Sequence, residues 1–256
     1  MHDEQSREVP LAGGNVGGAV RIGETVRRPA GYWTGAVHDL LDYLGRAGLD
    51  GIPEPLGVDG NGREVLSYLP GRSVDVDTET VSDALLVDAA RWLRRFHDAV
   101  QSYRPAGPVR WRNGTHSLRD DQIVCHHDPG AYNWIVAGDR LVGVIDWDMA
   151  GPGRPLDDLA FMAWTAVPLF RPRPAAGVAR RLRLMAEVYG GIEPVALLGH
   201  VETRMASATD RIEAGQRRGD PGMLNLASVG EPARTRASIA DLRGRRPAIK
   251  AALYSV

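Results

Sequence analysis

Residues 125–133 read Cys125-His126-His127-Asp128-Pro129-Gly130-Ala131-Tyr132-Asn133, and residues 145–148 read Ile145-Asp146-Trp147-Asp148. Asp128 follows a short apolar run, Ile123–Cys125, which reads as a strand, so its carboxylate stands in a loop. Asn133 comes five residues later, at the start of a second run, Trp134–Val136. A turn at Gly138-Asp139 returns the chain through Leu141–Ile145 to Asp146. A hairpin this short brings Asn133 and Asp146 together. A carboxamide oxygen beside a carboxylate suits a hard cation such as Mg2+, with Asp128 as a third oxygen donor nearby.

Phosphoryl transfer requires such a set: one carboxylate to orient the acceptor hydroxyl and take its proton, an amide and a second carboxylate to hold metal. The protein-kinase signature is His-x-Asp, then Asn five residues on, then a metal-binding Asp. His126, Asp128, Asn133 and Asp146 fill these positions in order. His-Arg-Asp, Asp-Phe-Gly and Ala-Pro-Glu do not occur, which separates the chain from the protein kinases.

The stretch instead resembles the aminoglycoside phosphotransferase family, whose loop reads His-Gly-Asp-x-x-x-x-Asn and whose metal strand reads Ile-Asp-Trp-Asp/Glu. Leu93-Arg94-Arg95-Phe96-His97 resembles the family's helix before that loop. Pro155-Leu156-Asp157-Asp158-Leu159-Ala160 resembles its Asp-Leu-Ala segment. Thr25–Pro29, with the helix that follows, is similar to a compact N-lobe. The resemblance implies a bilobed, protein-kinase-like α+β fold, with a small β-rich N-lobe and a larger, mainly helical C-lobe. It implies ATP as phosphoryl donor, with GTP as the other option, and Mg2+ as cofactor. The acceptor would be a small-molecule hydroxyl, on an aminoglycoside-like antibiotic, a sugar or another natural product. Asp128 is then the catalytic base, and Asn133 and Asp146 the metal ligands. His126 would brace the loop, Asp158 would tie it to the next helix, and Asp148 would stand beside the metal or cap a helix. Backbone near Ser67 and Leu69 would meet the nucleobase.

One position departs from the kinase pattern. In Thr25-Val26-Arg27-Arg28, strand alternation puts Val26 and Arg28 on one face, so Arg28 stands where a Lys is usual. The chain has 30 Arg and one Lys, Lys250, a bias that makes Arg in place of Lys unremarkable. A helix carboxylate is the usual partner, and Asp39 and Asp42 are the candidates. The segment Gly13–Gly18 is glycine-rich without the Gly-x-Gly-x-x-Gly spacing. Two rivals follow from the same residues: a zinc hydrolase built on His126-His127-Asp128 with Asp146 and Asp148, and a nucleotide-binding pseudokinase.

Outward from the motif, Ala19–Ile22 and Thr25–Arg28 read as strands and Trp33–Gly48 as a helix with Thr34 as its N-cap. Asp59-Gly60-Asn61-Gly62 marks a hairpin into the strand Glu64–Tyr68. Ser82–Val100 is amphipathic, with Leu85, Leu86, Ala89, Trp92, Leu93 and Phe96 on one face. Pro105–Asn113 reads as loop. Helices are expected over Leu156–Val167, Ala175–Tyr189, Val195–Glu213 and Val229–Leu242. The lobes divide at a hinge near Leu69–Gly71, giving a nucleotide lobe over 1–70 and a catalytic and acceptor lobe over 71–256.

With 256 residues, 43% hydrophobic and 25% charged, the composition is that of a soluble globular protein. No apolar run is long enough to span a bilayer, and residues 1–10 lack the core of a signal peptide. A lone cysteine, Cys125, fits a reducing, cytoplasmic setting. The net charge of −1 argues against nucleic acid as a partner. That charge is divided unevenly, −8 over residues 1–170 and +7 over 171–256. A positive acceptor lobe disfavours a polycationic acceptor and fits a neutral or anionic one.

Overall fold

A computed structural model of the chain describes residues 7–11, 18–105 and 107–255. The first part is an antiparallel sheet of five strands: β1 (Val9–Pro10), β2 (Val20–Ile22), β3 (Thr25–Pro29), β4 (Pro55–Val58) and β5 (Arg63–Ser67), in the order β1-β2-β3-β5-β4. Most of the Gly13–Gly18 segment, which joins β1 to β2, lies outside the described residues. Between β3 and β4 runs α1 (Thr34–Arg46), whose buried stripe is Val37, Leu40, Leu41 and Leu44. Its N-cap is Trp33. Thr34 is the first helical residue, and its hydroxyl accepts from the Gly31 N–H at 2.9 Å.

The chain leaves this sheet after Ser67 and joins another at β6 (Arg72–Ser73). The crossing passes so close to its neighbour that a Cβ on Gly71 would lie 2.7 Å from Val136 O, and its φ of +152° also favours glycine. Next comes α2 (Asp83–Val100), capped by the Ser82 hydroxyl on Leu85 N–H. Its apolar face, with Leu86, Trp92, Leu93 and Phe96, is buried in the core. Residues 109–116, expected as loop at their start, form a hairpin of β7 (Val109–Trp111) and β8 (Gly114–His116). Trp111, 1% exposed, anchors it.

β9 (Ile123–Cys125), β10 (Trp134–Ala137), β11 (Arg140–Val144) and β12 (Gly151–Gly153) form the insertion that carries the motif. β10 pairs with β11 and β6, and β12 pairs with β9, all antiparallel. The rest is helical: α3 (Pro155–Ala166), α4 (Ala175–Tyr189), α5 (Pro194–Arg217), α6 (Pro221–Asn225) and α7 (Ala233–Tyr254). The last helix runs past the expected end at Leu242 and through Pro247, because Ile249 beyond it is fully buried. No helix among the described residues is long and apolar enough to cross a membrane.

The two parts meet along a backbone seam. Gly51, in the turn after α1, accepts at its carbonyl from Val144 N–H at 2.9 Å, and Trp92 Nε1 donates to Asp50 O at 2.9 Å. A Cβ on Gly143 would lie 2.4 Å from that Gly51 oxygen. Gly143→Ala therefore forces the seam apart, at about 1–3 kcal/mol. The expected result is a melting temperature several degrees lower, read by thermal denaturation.

Candidate active site

β9 delivers the chain to a loop that is held from below. Asp158, on the first turn of α3 and 0% exposed, accepts from His126 N–H and His127 N–H, each at 2.7 Å. His97 of α2 completes the set, with Nε2 3.2 Å from Asp158 Oδ2 and Nδ1 2.7 Å from the Tyr189 hydroxyl. Burial would raise this carboxyl, but the hydrogen bond and charge from His97 dominate and hold it well below the usual carboxylate range. The His126 ring is consumed within the loop. Its Nε2 donates to Ile145 O at 3.2 Å and its Nδ1 accepts from Asp128 N–H at 3.3 Å. His127 Nε2 donates to Pro152 O at 3.1 Å. Burial lowers His126, and lowers His127 to about 4, so both are neutral near pH 7. Rings engaged in this way are not zinc ligands in waiting, which removes the basis for the hydrolase reading.

Two tryptophans hold the loop from either side. Trp134 Nε1 donates to Pro129 O at 3.2 Å, and Trp147 packs 4.6 Å from the His126 ring and 5.0 Å from Phe96. Among the described residues, the non-glycine residues with positive φ are His127, at 63°, and Asp146, at 65°. Such conformations cost about 1–3 kcal/mol each and persist where the surroundings impose them. Both lie in this site.

The carboxylates converge above the loop. Asn133 Nδ2 donates to Asp128 O at 2.9 Å and approaches Asp128 Oδ2 at 3.3 Å, which leaves its Oδ1 as a ligand atom. Ile145 N–H donates to Asn133 O at 3.0 Å, so Asp146 follows directly on this contact, just past the end of β11. Its side chain is 39% exposed. Burial first, then the charge of Asp146, raises Asp128 to about 7, while a hydrogen bond from the Tyr132 hydroxyl opposes the shift. The three groups expected together are together, and their hard oxygen donors fit a divalent cation of the Mg2+ type.

From the opposite side Arg28 reaches in. It donates through Nε to Glu64, through Nη1 to Asp146 at 3.2 Å and through Nη2 to Asp148 at 2.6 Å. Asp148 is thus an ion-pair partner, held also by Arg112 at 3.2 Å. The expected helix carboxylates play no part. The buried stripe of α1 turns Asp39 and Asp42 to solvent and presents His38, which meets Glu64 at 3.0 Å. The carboxylate comes from β5, because Arg28 and Glu64 are direct cross-strand partners. Sequence reasoning missed Glu64. The signal available was its register opposite Arg28 in the β3–β5 pair. At the β5 end, Ser67 N–H donates to Glu54 O at 2.9 Å and its Oγ accepts from Glu54 N–H at 2.8 Å. Leu69 lies against β11 at Gly143.

A five-stranded sheet over a helical body, with an Asp–Asn–Asp constellation beneath an Arg from that sheet, defines a kinase-like phosphotransferase architecture. A model of the phosphotransferase enzyme family matches residues 110–195. The trifolitoxin immunity protein of Rhizobium leguminosarum bv. trifolii is 31% identical over 195 residues, 72% of this chain and 74% of that one. The chain belongs to the aminoglycoside phosphotransferase family. Its fold is similar to that of an amicoumacin kinase in complex with AMP-PNP and Ca2+ (TM-score 0.60, 13% identity, 96% of this chain and 88% of that one). It is also similar to the GDP complex of aminoglycoside 2'-phosphotransferase-IIIa (TM-score 0.61, 13% identity, 94% of each chain).

Two stability changes follow. Asp158→Asn removes the buried charge and sets an NH2 donor against one of the two backbone N–H groups, and is expected to cost about 3–5 kcal/mol in urea denaturation. Asp128→Asn is expected to do the reverse. An acid raised above its unfolded value near 4 weakens the fold once pH exceeds that value. The Asn variant should melt higher than the parent above pH 7 without nucleotide, the gain vanishing as pH falls towards 4.

Proposed function

We propose that this chain transfers the γ-phosphate of ATP to a hydroxyl of a small natural product. One observation carries the reading: Asp128, Asn133 and Asp146 converge in a single site that Arg28 faces from the other lobe. Asp128 accepts the proton of the acceptor hydroxyl as its oxygen attacks the γ-phosphorus. A base raised to about 7 takes that proton effectively near neutral pH. The Tyr132 phenol donates to the same carboxylate, so an acceptor hydroxyl takes its place. Asn133 and Asp146 would hold Mg2+, which would supply charge neutralisation to the phosphates. Arg28 turns part of its fork to the phosphates, and His38 and Glu64 keep its stem in place. The Ser67 N–H and hydroxyl are already engaged, so the Ser67 carbonyl and the Leu69 backbone are left for the nucleobase. Asp158 and His126 hold the loop and do not react.

The acceptor class is supported by the relatives. The similar structures are kinases of antibiotics, complexed with AMP-PNP or GDP, so GTP stands beside ATP as donor. The curated relative is an immunity protein. Chemical disarming of a toxic compound is therefore the physiological role we assign, in the cytoplasm where the nucleotide is abundant. A pseudokinase is the second reading, favoured by the direct ion pair of Arg28 with Asp146.

ADP release with Mg-ATP, screened over antibiotics and sugars, separates the two. Phosphotransfer predicts an acceptor whose turnover falls about 10²–10⁴-fold in Asp128→Asn while ATP affinity holds within about twofold. Tight ATP binding with turnover that ignores the Asp128 change would sink the proposal.

A further inference from the structure

Beside the catalytic loop lies a cavity of about 890 Å³, walled by α5, α6, the β7–β8 hairpin and, from the first lobe, Tyr32 and Trp33. Four arginines line it, Arg112, Arg204, Arg211 and Arg218, against two aspartates, Asp157 and Asp220. Both aspartates are already engaged. Asp157 accepts from His200 Nε2 at 2.7 Å and from Arg154 N–H at 2.9 Å, and Asp220 holds Arg112 at 3.1 Å.

The remaining arginines make no ion pair among the described residues. Arg204, 4% exposed, gives one N–H to His127 O, but its buried Nε–H has no partner among the described residues. Arg211 has no hydrogen bond or ion pair among the described residues, and of the carboxylates Asp128 acts on it most strongly. Burial and then the adjoining Arg204 lower its guanidinium to about 10, the mark of one cation held against another. Buried or crowded positive charge without a counter-ion is costly and is usually retained to meet a ligand. Tyr32, 52% exposed, and Trp33 give the same cavity an apolar wall.

We propose that Arg211, supported by Arg204, binds an anionic group of the phosphoryl acceptor, a carboxylate or a phosphate, while Tyr32 and Trp33 receive its apolar body. This rests on the phosphotransferase reading and names its substrate class: a hydroxylated natural product with a negative charge. A polycationic acceptor would bring like charge against Arg211. The cavity supports this choice: Arg204 and Arg211 line it together with His127, the residue before Asp128, so an acceptor anchored there by its anion lies beside the loop that carries Asp128.

The test uses the full chain loaded with Mg2+ and AMP-PNP, so that the nucleotide site is filled. The probes are hydroxylated aromatic carboxylates, their phosphomonoester counterparts and their neutral amides, with kanamycin as a polycation. Calorimetry is expected to give at least tenfold tighter binding for one anionic series than for the amides, and no binding of kanamycin. The series that wins identifies the group. Arg211→Gln should erase the preference and leave amide binding unchanged, and Arg211→Lys should keep part of it, which separates loss of the anion contact from misfolding. Equal binding of acids and amides overturns the proposal. So does an Arg211→Gln variant that weakens both alike, or one that loosens AMP-PNP instead, which would assign Arg211 to the nucleotide. Phosphoryl transfer to the tightest probe is scored separately with ATP. Anion-selective binding without transfer would sink the phosphotransferase reading and leave an anion site standing.

Discussion

Three carboxylates from two lobes share one guanidinium, and the site has its shape because of it. Glu64 is 1% exposed, Asp148 is 9%, and Asp146 adds a third negative charge beside them. Carboxylates at such depth stay ionised only where a cation compensates them. Burial alone would lower Arg28, yet Asp148, Asp146 and Glu64 together hold it well above the usual arginine range. An Arg does this better than a Lys, because its planar fork offers separate edges to Glu64, Asp146 and Asp148, whereas an ammonium is a single point. His38 at one end and Arg112 with Asp220 at the other extend this polar network from α1 to the start of α6. The compositional scarcity of lysine is thus turned to a geometric purpose at this position.

Below the cleft the logic is different. Asp158 organises the loop through backbone N–H groups, not through ions, and so sets main-chain positions. That is what allows His127 and Asp146 to sit at positive φ: the hydrogen bonds to Asp158, the Arg204 contact on His127 O and the packing of Trp147 leave no relaxed alternative. The rigid underside and the charged upper side meet at Asp128. It inherits low solvation from the first and the field of Asp146 from the second, and both hold its proton on to a higher pH than an ordinary carboxyl.

The convergence of Asp128, Asn133 and Asp146 was legible because it is local: a strand, a loop and a hairpin carry them within 19 consecutive residues. The apolar stripes of α1 and α2 were equally plain, since helical period alone determines what they bury. What the sequence hid is long-range. Glu64 becomes the partner of Arg28 through strand register, which no periodicity of α1 reveals. Tyr189 reaches His97 across 92 positions of chain, and Arg211 meets the field of Asp128 from a helix that sequence reasoning treated only as helical. The β7–β8 hairpin went unread because its strands are three residues each, and Trp111 alone signals burial. The end of α7 lies beyond the expected Leu242 because tertiary burial of Ile249 carries the helix through Pro247, which no local pattern signals.

The Gly51–Gly143 seam has a mechanical corollary. Beside the side-chain links of Trp92 to Asp50 and of Arg28 to Asp146, two main-chain attachments join the lobes, the crossing from Ser67 to Arg72 and the backbone bond from Val144 to Gly51. A body pinned at two points keeps one rotational degree of freedom, about the line through the pins. Any rigid swing of the sheet against the helical body that spares both attachments is confined to that axis, like a door on paired pivots, and a sideways shear would have to break one of them.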